Sequence, residues 1–271
     1  MFYSNVPMTD EQILKHAPAI FGKEKYEKRK ENYQLFNTYN IIDGMRKEGF
    51  GVAGVFQGGF RTGAPKATRQ HVVRFRANDY FAGGSLDVGD VAPEIVLINS
   101  HDGSTQFDIS AGIFRKVCTN GLMVELCGTG MRSKIRHMGH SFDEVIEAAT
   151  TIGKQTRILA DNVDQMKSIM LKPAQVRDFL HDSLELKFGT DYRKLNLPTP
   201  EALLEARRPE DFENTLWNVF NRVQENMLKG GVRVNQRELR PITNIMEGAR
   251  LNRGLWNIAD QYRLELAPAV A

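Results

Sequence analysis

The sequence has little cysteine and no long apolar run. Its 271 residues include two cysteines, Cys118 and Cys127, and no stretch approaches the roughly 20 apolar residues of a membrane-spanning helix. A chain of this length buries a sizeable core without disulfides, and two cysteines without a secretory signal are typical of a reducing compartment. Residues 1–5 lack the basic and apolar regions of a signal peptide. We therefore expect a cytoplasmic protein.

The sequence also lacks the common motifs of nucleotide and metal binding. It contains no Walker A pattern and no G-x-G-x-x-G, since Gly128-Thr-Gly130 has neither a third glycine nor a βαβ context. It contains no C-x-x-C and no H-E-x-x-H, so the spacing does not support a zinc site. The available metal donors are His101, Cys118, Cys127, His137 and His140. We expect no cofactor and no metal, and we expect the cysteines to be small buried hydrophobic residues.

The order of hydrophobic patterns predicts an α+β fold. A short amphipathic helix at 38–49 precedes several strands, among them an apolar run at 94–98 that is typical of a strand covered on both faces. After Ser141 the spacing becomes helical, and one helix should begin at Pro173 and end near Gly189. We predict a central antiparallel sheet, preceded by a short helix and followed by a helical C-terminal part.

The same patterns predict how the chain divides into two regions. We assign residues 1–140 to a β-rich core with N-terminal helices, and residues 141–271 to a helical region that packs on it. Residues 79–93, rich in Gly and Asp, indicate a loop. Asp211 is a candidate cap for a helix whose Trp217 we expect in the core.

The densest cluster of reactive side chains is Asn99-Ser100-His101-Asp102-Gly103-Ser104. A histidine beside an aspartate can act as a general base with an orienting partner, so His101 and Asp102 are candidate catalytic residues. Neighbouring residues on a strand point to opposite faces, however, and Asn, Asp, Gly and Ser each have a sufficient role in a hairpin turn. We favour the turn over catalysis.

Positive charge is clustered, although the formal net charge is only +3. Between residues 61 and 76 there are five Lys or Arg and no Asp or Glu. Phe60 and Phe75 interleave with these basic residues, and Phe114 precedes Arg115 and Lys116. This is the composition of a groove that holds a single nucleic-acid strand. Alternatively the rings lie in the core and the Arg stems cover it, and the two interpretations are evenly balanced. The candidate nucleic-acid-binding residues are Arg61, Lys66, Arg69, Arg74, Arg76, Arg115, Lys116, Arg132, Lys134 and Arg136.

Several longer strings carry a family resemblance. They are PEIVLINSHDGS at 93–104, GIFRKVCTNGL at 112–122, VQENMLKGG at 223–231 and LNRGLW at 251–256. They resemble an uncharacterised family of phage, prophage and plasmid proteins, domain of unknown function 932, over most of the chain. The resemblance implies an origin in a mobile element. It brings no catalytic residues, because the family has no assigned activity.

A second resemblance is architectural. A helix at 41–50, strands within 51–109 and a helix with a T-x-G-L-like turn within 112–124 would be similar to the core of Rad52-type single-strand annealing proteins. The chain departs from that pattern in its loop at 77–93 and its large helical C-terminal part.

Together these observations favour a phage or plasmid DNA-metabolism protein that binds, and in a further step anneals, single-stranded DNA as a homo-oligomer. Two alternatives stay open. One is a metal-dependent hydrolase or nuclease that uses His101 and Asp102. The other is a non-catalytic protein that binds a host factor, for example to block a defence system.

Overall fold

Two compact units make up the chain. The computed structural model describes residues 2–22, 37–58, 66–82, 91–102, 105–115, 118–123, 132–135, 142–155, 157–194, 200–234 and 237–267. The first unit comprises Met1–Met123 with Gly128–Arg157, and the second comprises Val124–Cys127 with Ile158–Ala271. None of the helices in the described stretches is long and apolar enough to cross a membrane.

The first unit is built on an antiparallel sheet, which confirms the predicted fold class. Among the described residues six strands follow one another across the sheet in chain order, and a seventh pairs with the fifth. The strands are β1 (Phe2–Tyr3), β2 (Phe50–Gln57), β3 (His71–Ala77), β4 (Val91–Asn99), β5 (Phe107–Arg115), β6 (Cys118–Met123) and β7 (Arg132–Ile135).

Strands β6 and β7 share the outer edge of β5. Ile113 of β5 lies opposite Leu122 in β6, whereas Ile109 lies opposite Ser133 in β7. Both short strands use this edge because β4 pairs along the other side of β5. The sheet therefore ends in two short strands, placed one after the other.

One face of the sheet is apolar and carries the core of the first unit. The cross-strand partners Val73 and Leu97, and then Phe75 and Ile95, are all buried. Gly153 packs so closely here that an added Cβ atom would lie 2.9 Å from the Ile95 Cδ1 atom. The helices of this unit are α1 (Asp10–His16), α2 (Thr38–Lys47), α3 (Asp79–Ala82) and α4 (Phe142–Gln155).

Helix α4 lies on the sheet, although its sequence is the start of the helical part of the chain. It contacts α2, β4 and β5, and Val145, Ala149 and Ile152 form its buried side. The boundary between the two units therefore falls at about residue 157, after this helix, and not at residue 140. Residues 79–93, predicted as a loop, include helix α3 and the first residues of β4, and residues 83–90 lie outside the described stretches.

The second unit is helical around one central helix. Every residue from Leu216 to Met227 is buried, and Trp217 lies in the core as predicted, as does Trp256 of the last helix. The elements of this unit are α5 (Arg157–Ser168), α6 (Pro173–Phe188), α7 (Leu216–Lys229), α8 (Ile245–Leu266) and a hairpin of β8 (Arg233–Val234) with β9 (Arg237–Glu238).

The ends of the helices follow their local sequence, with one exception. Helix α6 begins at Pro173 and ends before Gly189, whose φ of +86° stops it, as predicted. Helix α7 is capped by Thr215, whose hydroxyl accepts from the Asn218 amide at 3.2 Å. The predicted cap, Asp211, is wrong because it lies five residues before the helix begins, too far to reach the amides of its first turn.

Two glycines that end helices of the second unit should differ in their tolerance of alanine. At Gly230 an added Cβ would lie 2.1 Å from the Leu239 carbonyl oxygen, and φ is +64°. At Gly189 φ is +86° and nothing lies within 4 Å. We expect Gly189→Ala to cost about 1–3 kcal/mol, because its φ of +86° and ψ of 174° form a conformation that is essentially restricted to glycine. Gly230→Ala should cost about 3 kcal/mol or more, because the backbone must also move.

Urea unfolding followed by tryptophan fluorescence measures this difference, since both tryptophans of the protein lie in the second unit. Equal losses in the two variants would contradict the close approach at Gly230.

Candidate nucleic-acid interface

The basic residues predicted to bind nucleic acid are distributed between the surface and the interior. Lys66 and Lys134 are exposed and Arg132 is partly exposed. The four remaining described residues are buried: Arg69, Arg74, Arg76 and Arg115. Arg61, Lys116 and Arg136 lie outside the described stretches. The structure thus separates basic residues that are exposed to solvent from basic residues that are buried.

Arg74 and Arg76 belong to a buried ionic cluster on the second face of the sheet. They alternate with Val73 and Phe75 along β3, so their side chains point away from the apolar core. Both guanidinium groups bind the carboxylate of Glu94 in β4: Arg74 donates from Nε to Oε2, and Arg76 donates from Nη2 to Oε1 at 2.7 Å. Arg74 is 0% exposed and Arg76 2%. In this arrangement neither arginine presents its charge to a phosphate.

Aromatic rings complete the surroundings of the two arginines. The Cζ atom of Arg76 lies 4.5 Å from the ring centroid of Phe114 and 5.2 Å from that of Phe81. Burial alone would lower the pKa of Arg74, but its electrostatic interactions with Tyr3 and Glu94 outweigh burial and raise that pKa. The interleaving of Arg and Phe seen in the sequence is therefore, at these positions, the interior packing of guanidinium on aromatic faces.

Removing the charge of Glu94 should destabilise the first unit strongly. Glu94→Gln leaves two buried guanidinium groups without a carboxylate, and loss of one partner from a buried ion pair costs about 3–5 kcal/mol. Asp43→Asn is the matched control, because Asp43 pairs with Lys47 on the exposed side of α2 and such a pair contributes about 0.5 kcal/mol or less. Calorimetric unfolding compares the two variants, and similar melting temperatures would contradict the stabilising role of Glu94.

Strand β7 carries basic residues at the edge of the sheet. Arg132 donates two hydrogen bonds to Asp108, from Nε at 2.8 Å and from Nη2 at 2.7 Å. Lys134 lies directly opposite Asp108 in the pairing of β5 with β7, and its side chain is exposed. Since Arg132 binds the carboxylate of Asp108 through both of these donors, Lys134 is the more accessible charge of this strand.

His101 lies in a buried polar cluster and not in an open site. Its Nε2 atom lies 3.2 Å from the hydroxyl of Thr38, and the Nε2 atom of His71 lies 2.8 Å from the same oxygen. Asn99 donates to this hydroxyl from Nδ2 at 2.9 Å. His101 is 0% exposed and Asp102 is 5% exposed. The two candidate catalytic residues are thus closed to a substrate in this conformation.

The hydrogen bonds assign the protons of the two imidazoles. The Nδ1 atom of His71 lies 2.9 Å from the Arg69 carbonyl oxygen, which can only accept, so Nδ1 carries the proton. In a neutral ring Nε2 is then an acceptor, and the Thr38 hydroxyl donates to it. The Thr38 oxygen accepts from Asn99 and from His101, which places the proton of His101 on Nε2.

Thr38 should be more sensitive to loss of its hydroxyl than to loss of its methyl group. Thr38→Val removes the partner of three buried groups, and each unpaired group costs about 1–3 kcal/mol, so we expect a loss of about 3 kcal/mol or more. Thr38→Ser keeps the hydroxyl and should cost about 1 kcal/mol. Calorimetric unfolding measures both. If Thr38→Val were as stable as Thr38→Ser, the hydroxyl would not hold the cluster together.

An open groove lies on the apolar face of the sheet, at the end of β3 and β4 that is opposite to His71 and Asn99. Its volume is about 380 Å³. Phe75, Pro93 and Ile95 form the floor, and the half-buried rings of Phe50 and Tyr80 form part of the walls. Two exposed charged residues also line it, Asp79 of α3 and Lys154 of α4. Glu94 also belongs to the lining, but its carboxylate is bound to Arg74 and Arg76. The groove therefore combines aromatic rings with one exposed cation and one exposed anion.

Metal donors do not gather anywhere in the part of the chain that the structure describes. No group of three or more His, Cys, Asp or Glu side chains there is placed to hold a metal ion. Three of the donors named from the sequence, Cys127, His137 and His140, lie outside the described stretches, and Cys118 begins strand β6.

Comparison with known proteins identifies the family. The sequence model of the domain of unknown function DUF932 matches residues 25–256. This chain is a member of the DUF932 family. Two curated relatives from Escherichia coli K12, UPF0380 protein YafZ and UPF0380 protein YfjQ, are each 30% identical to it over 266 residues, which is 96% of this chain and 93% of each relative. No solved structure matches this chain.

The architectural resemblance to Rad52-type proteins has no such support. Where that resemblance places a helix, within 112–124, this DUF932 protein has the end of β5 and the strand β6. The physical reason is edge pairing: the outer edge of β5 accepts Cys118–Met123 as a further strand, with Gly112 opposite Met123. The expected α+β order holds, but the part that suggested annealing proteins is β-structure.

The family string at 223–231 has a structural role in the second unit. Gln224 donates to Asn252 of α8 at 2.7 Å, and Asn226 donates to the carbonyl oxygens of Leu203 and Glu205. Burial alone would raise the pKa of Glu225, but hydrogen bonds from Arg208 and Lys229 lower it. These polar residues of α7 thus hold the helix in a buried position, so they are not candidates for a ligand site.

The sequence did not reveal the residues that shape the two ends of the sheet. Thr38 is separated from His101 by 63 positions. The pairing of β3 with β4 brings His71 and Asn99 together, and Thr38 of α2 contacts both of them. Likewise Phe50, Tyr80 and Lys154 meet at the groove from three separate elements. A polar residue at the first position of an amphipathic helix was the one available signal for Thr38, and it is equally typical of a helix cap.

Proposed function

We propose that this protein binds single-stranded DNA through its first unit, as part of the DNA metabolism of a mobile element. The observation that carries the proposal is the exposed side chain of Lys134 in strand β7, with the partly exposed Arg132 beside it at the edge of the sheet. Between residues 126 and 142 the chain contains three Lys or Arg and no Asp or Glu. Such a stretch attracts a phosphate backbone.

The distribution of charge between the units supports the same assignment. The first unit has 20 Lys or Arg against 16 Asp or Glu, a formal charge of +4, whereas the second unit has 16 against 17 and a charge of −1. Among the described residues of the first unit, Arg74 and Arg76 are ion-paired inside, whereas Lys66 and Lys134 are exposed. These are point charges that bind phosphate without reading bases.

In this proposal the protein acts in the cytoplasm of the host cell and is not an enzyme. Annealing would require it to hold two strands, for which a homo-oligomer is the simplest arrangement. Light scattering coupled to size-exclusion chromatography, with and without an oligonucleotide, measures the number of copies.

Binding should depend on salt and on Lys134. Fluorescence anisotropy with a labelled single-stranded oligonucleotide should show an affinity that falls as salt rises, by about 0.7 logarithmic units per phosphate contact for each tenfold change in salt. Lys134→Glu should weaken binding several-fold and reduce this salt dependence.

The matched control is Lys15→Glu, which makes the same change of charge on α1, a helix that contacts β2 at the opposite side of the sheet. Lys15→Glu should bind the oligonucleotide with the same affinity as the unchanged protein. Absence of binding at low salt would refute the proposal, and co-purification of a host protein in its place would favour the host-factor alternative.

A further inference from the structure

We propose that the groove between α3, α4 and the ends of β2, β3 and β4 binds a nucleobase of the DNA strand. This inference rests on the proposed binding of single-stranded DNA, and it adds a second contact, to the base instead of the backbone. The groove is lined by residues of five elements of the first unit.

The size and lining of the groove fit a flat aromatic ligand. Its volume of about 380 Å³ is at the lower end of the roughly 300–1,000 Å³ that is usual for small-molecule sites. Three aromatic residues line it: Phe75 is buried below, and Phe50 and Tyr80 are half-buried, so parts of their surfaces face solvent. Stacking on such rings tolerates any base, because every base has a π-face.

The charged residues of the groove match the chemistry of a nucleotide. Lys154 offers a cation to the phosphate, and its side chain is exposed. Asp79 offers a carboxylate that can accept from an exocyclic amine or ring N–H of the base. A purely apolar ligand would use neither group, and a simple anion would not use the rings.

Gly153 keeps the space open beside the ring of Phe50. A Cβ atom at this position would lie 2.9 Å from the Phe50 Cζ atom and 2.9 Å from the Ile95 Cδ1 atom. Any side chain at residue 153 would displace one of the two groove residues, so the helix can pass this close to the groove only with glycine at that position.

Paired oligonucleotides separate the base contact from the phosphate contacts. One is a labelled oligodeoxyadenylate, and the other is an abasic strand with the same number of phosphates. The unchanged protein should bind the base-containing strand about tenfold more tightly, as expected for stacking of one base. Tyr80→Leu and Phe50→Leu keep an apolar side chain but remove a ring, and each should lose this preference while binding the abasic strand as before.

Phe212→Ala is the control, because Phe212 is an exposed aromatic residue of the second unit, and it should keep the preference. Thermal unfolding verifies that each variant is folded, and the two leucine variants serve as independent tests. If the unchanged protein bound both strands equally, or if both leucine variants kept the preference, the groove would not be a base site, although DNA binding itself would stand. If neither strand bound, the proposed function would fail together with this inference.

Discussion

The sheet of the first unit depends on the buried ion pairs between the carboxylate of Glu94 and the side chains of Arg74 and Arg76. This carboxylate neutralises part of the charge of two guanidinium groups that are fully buried. Arg74 and Arg76 come from β3 and Glu94 from β4, and the Nη2 atom of Arg74 also reaches the Ile113 carbonyl oxygen of β5 at 3.2 Å. The cluster therefore spans three adjacent strands. A slip of one residue in the register would turn the arginines toward the apolar core, where they would have no carboxylate.

The cluster around Thr38 constrains the opposite end of the same strands. One hydroxyl joins the start of α2 to His71 of β3 and Asn99 of β4. Gly22 packs directly against the cluster, since a Cβ atom at this position would lie 2.8 Å from the Nδ1 atom of His101. The strands are thus fixed by ionic contacts on one face and by hydrogen bonds to a shared hydroxyl at one end. The groove lies at the other end, lined by side chains that are more exposed.

Local periodicity was sufficient to predict much of this fold, because strand and helix patterns depend on neighbouring residues. The apolar run at 94–98, the helix from Pro173 to Gly189 and the α+β order were all correct. The site was harder, because an alternation of Val73, Arg74, Phe75 and Arg76 is the same whether the arginines face water or a buried carboxylate. Only the pairing of β3 with β4 distinguishes the two, and Glu94 lies 20 positions from Arg74. His101 is buried, and its partner Thr38 could not be identified from spacing.

The use of arginine and lysine in the first unit determines where a ligand can be sought. Arg46, Arg74, Arg76 and Arg132 each bind a carboxylate, and Arg132 does so through two donors that reach the two oxygens of Asp108. Lys66, Lys134 and Lys154 are exposed. In the part of the first unit that the structure describes, these arginines therefore stabilise the fold, whereas these lysines supply accessible charge. An interface built from lysine recognises phosphate by charge alone, so any discrimination between a nucleic-acid strand and another polyanion must come from aromatic surface beside that charge. Among the described residues, the groove that contains Lys154, Phe50 and Tyr80 combines both properties.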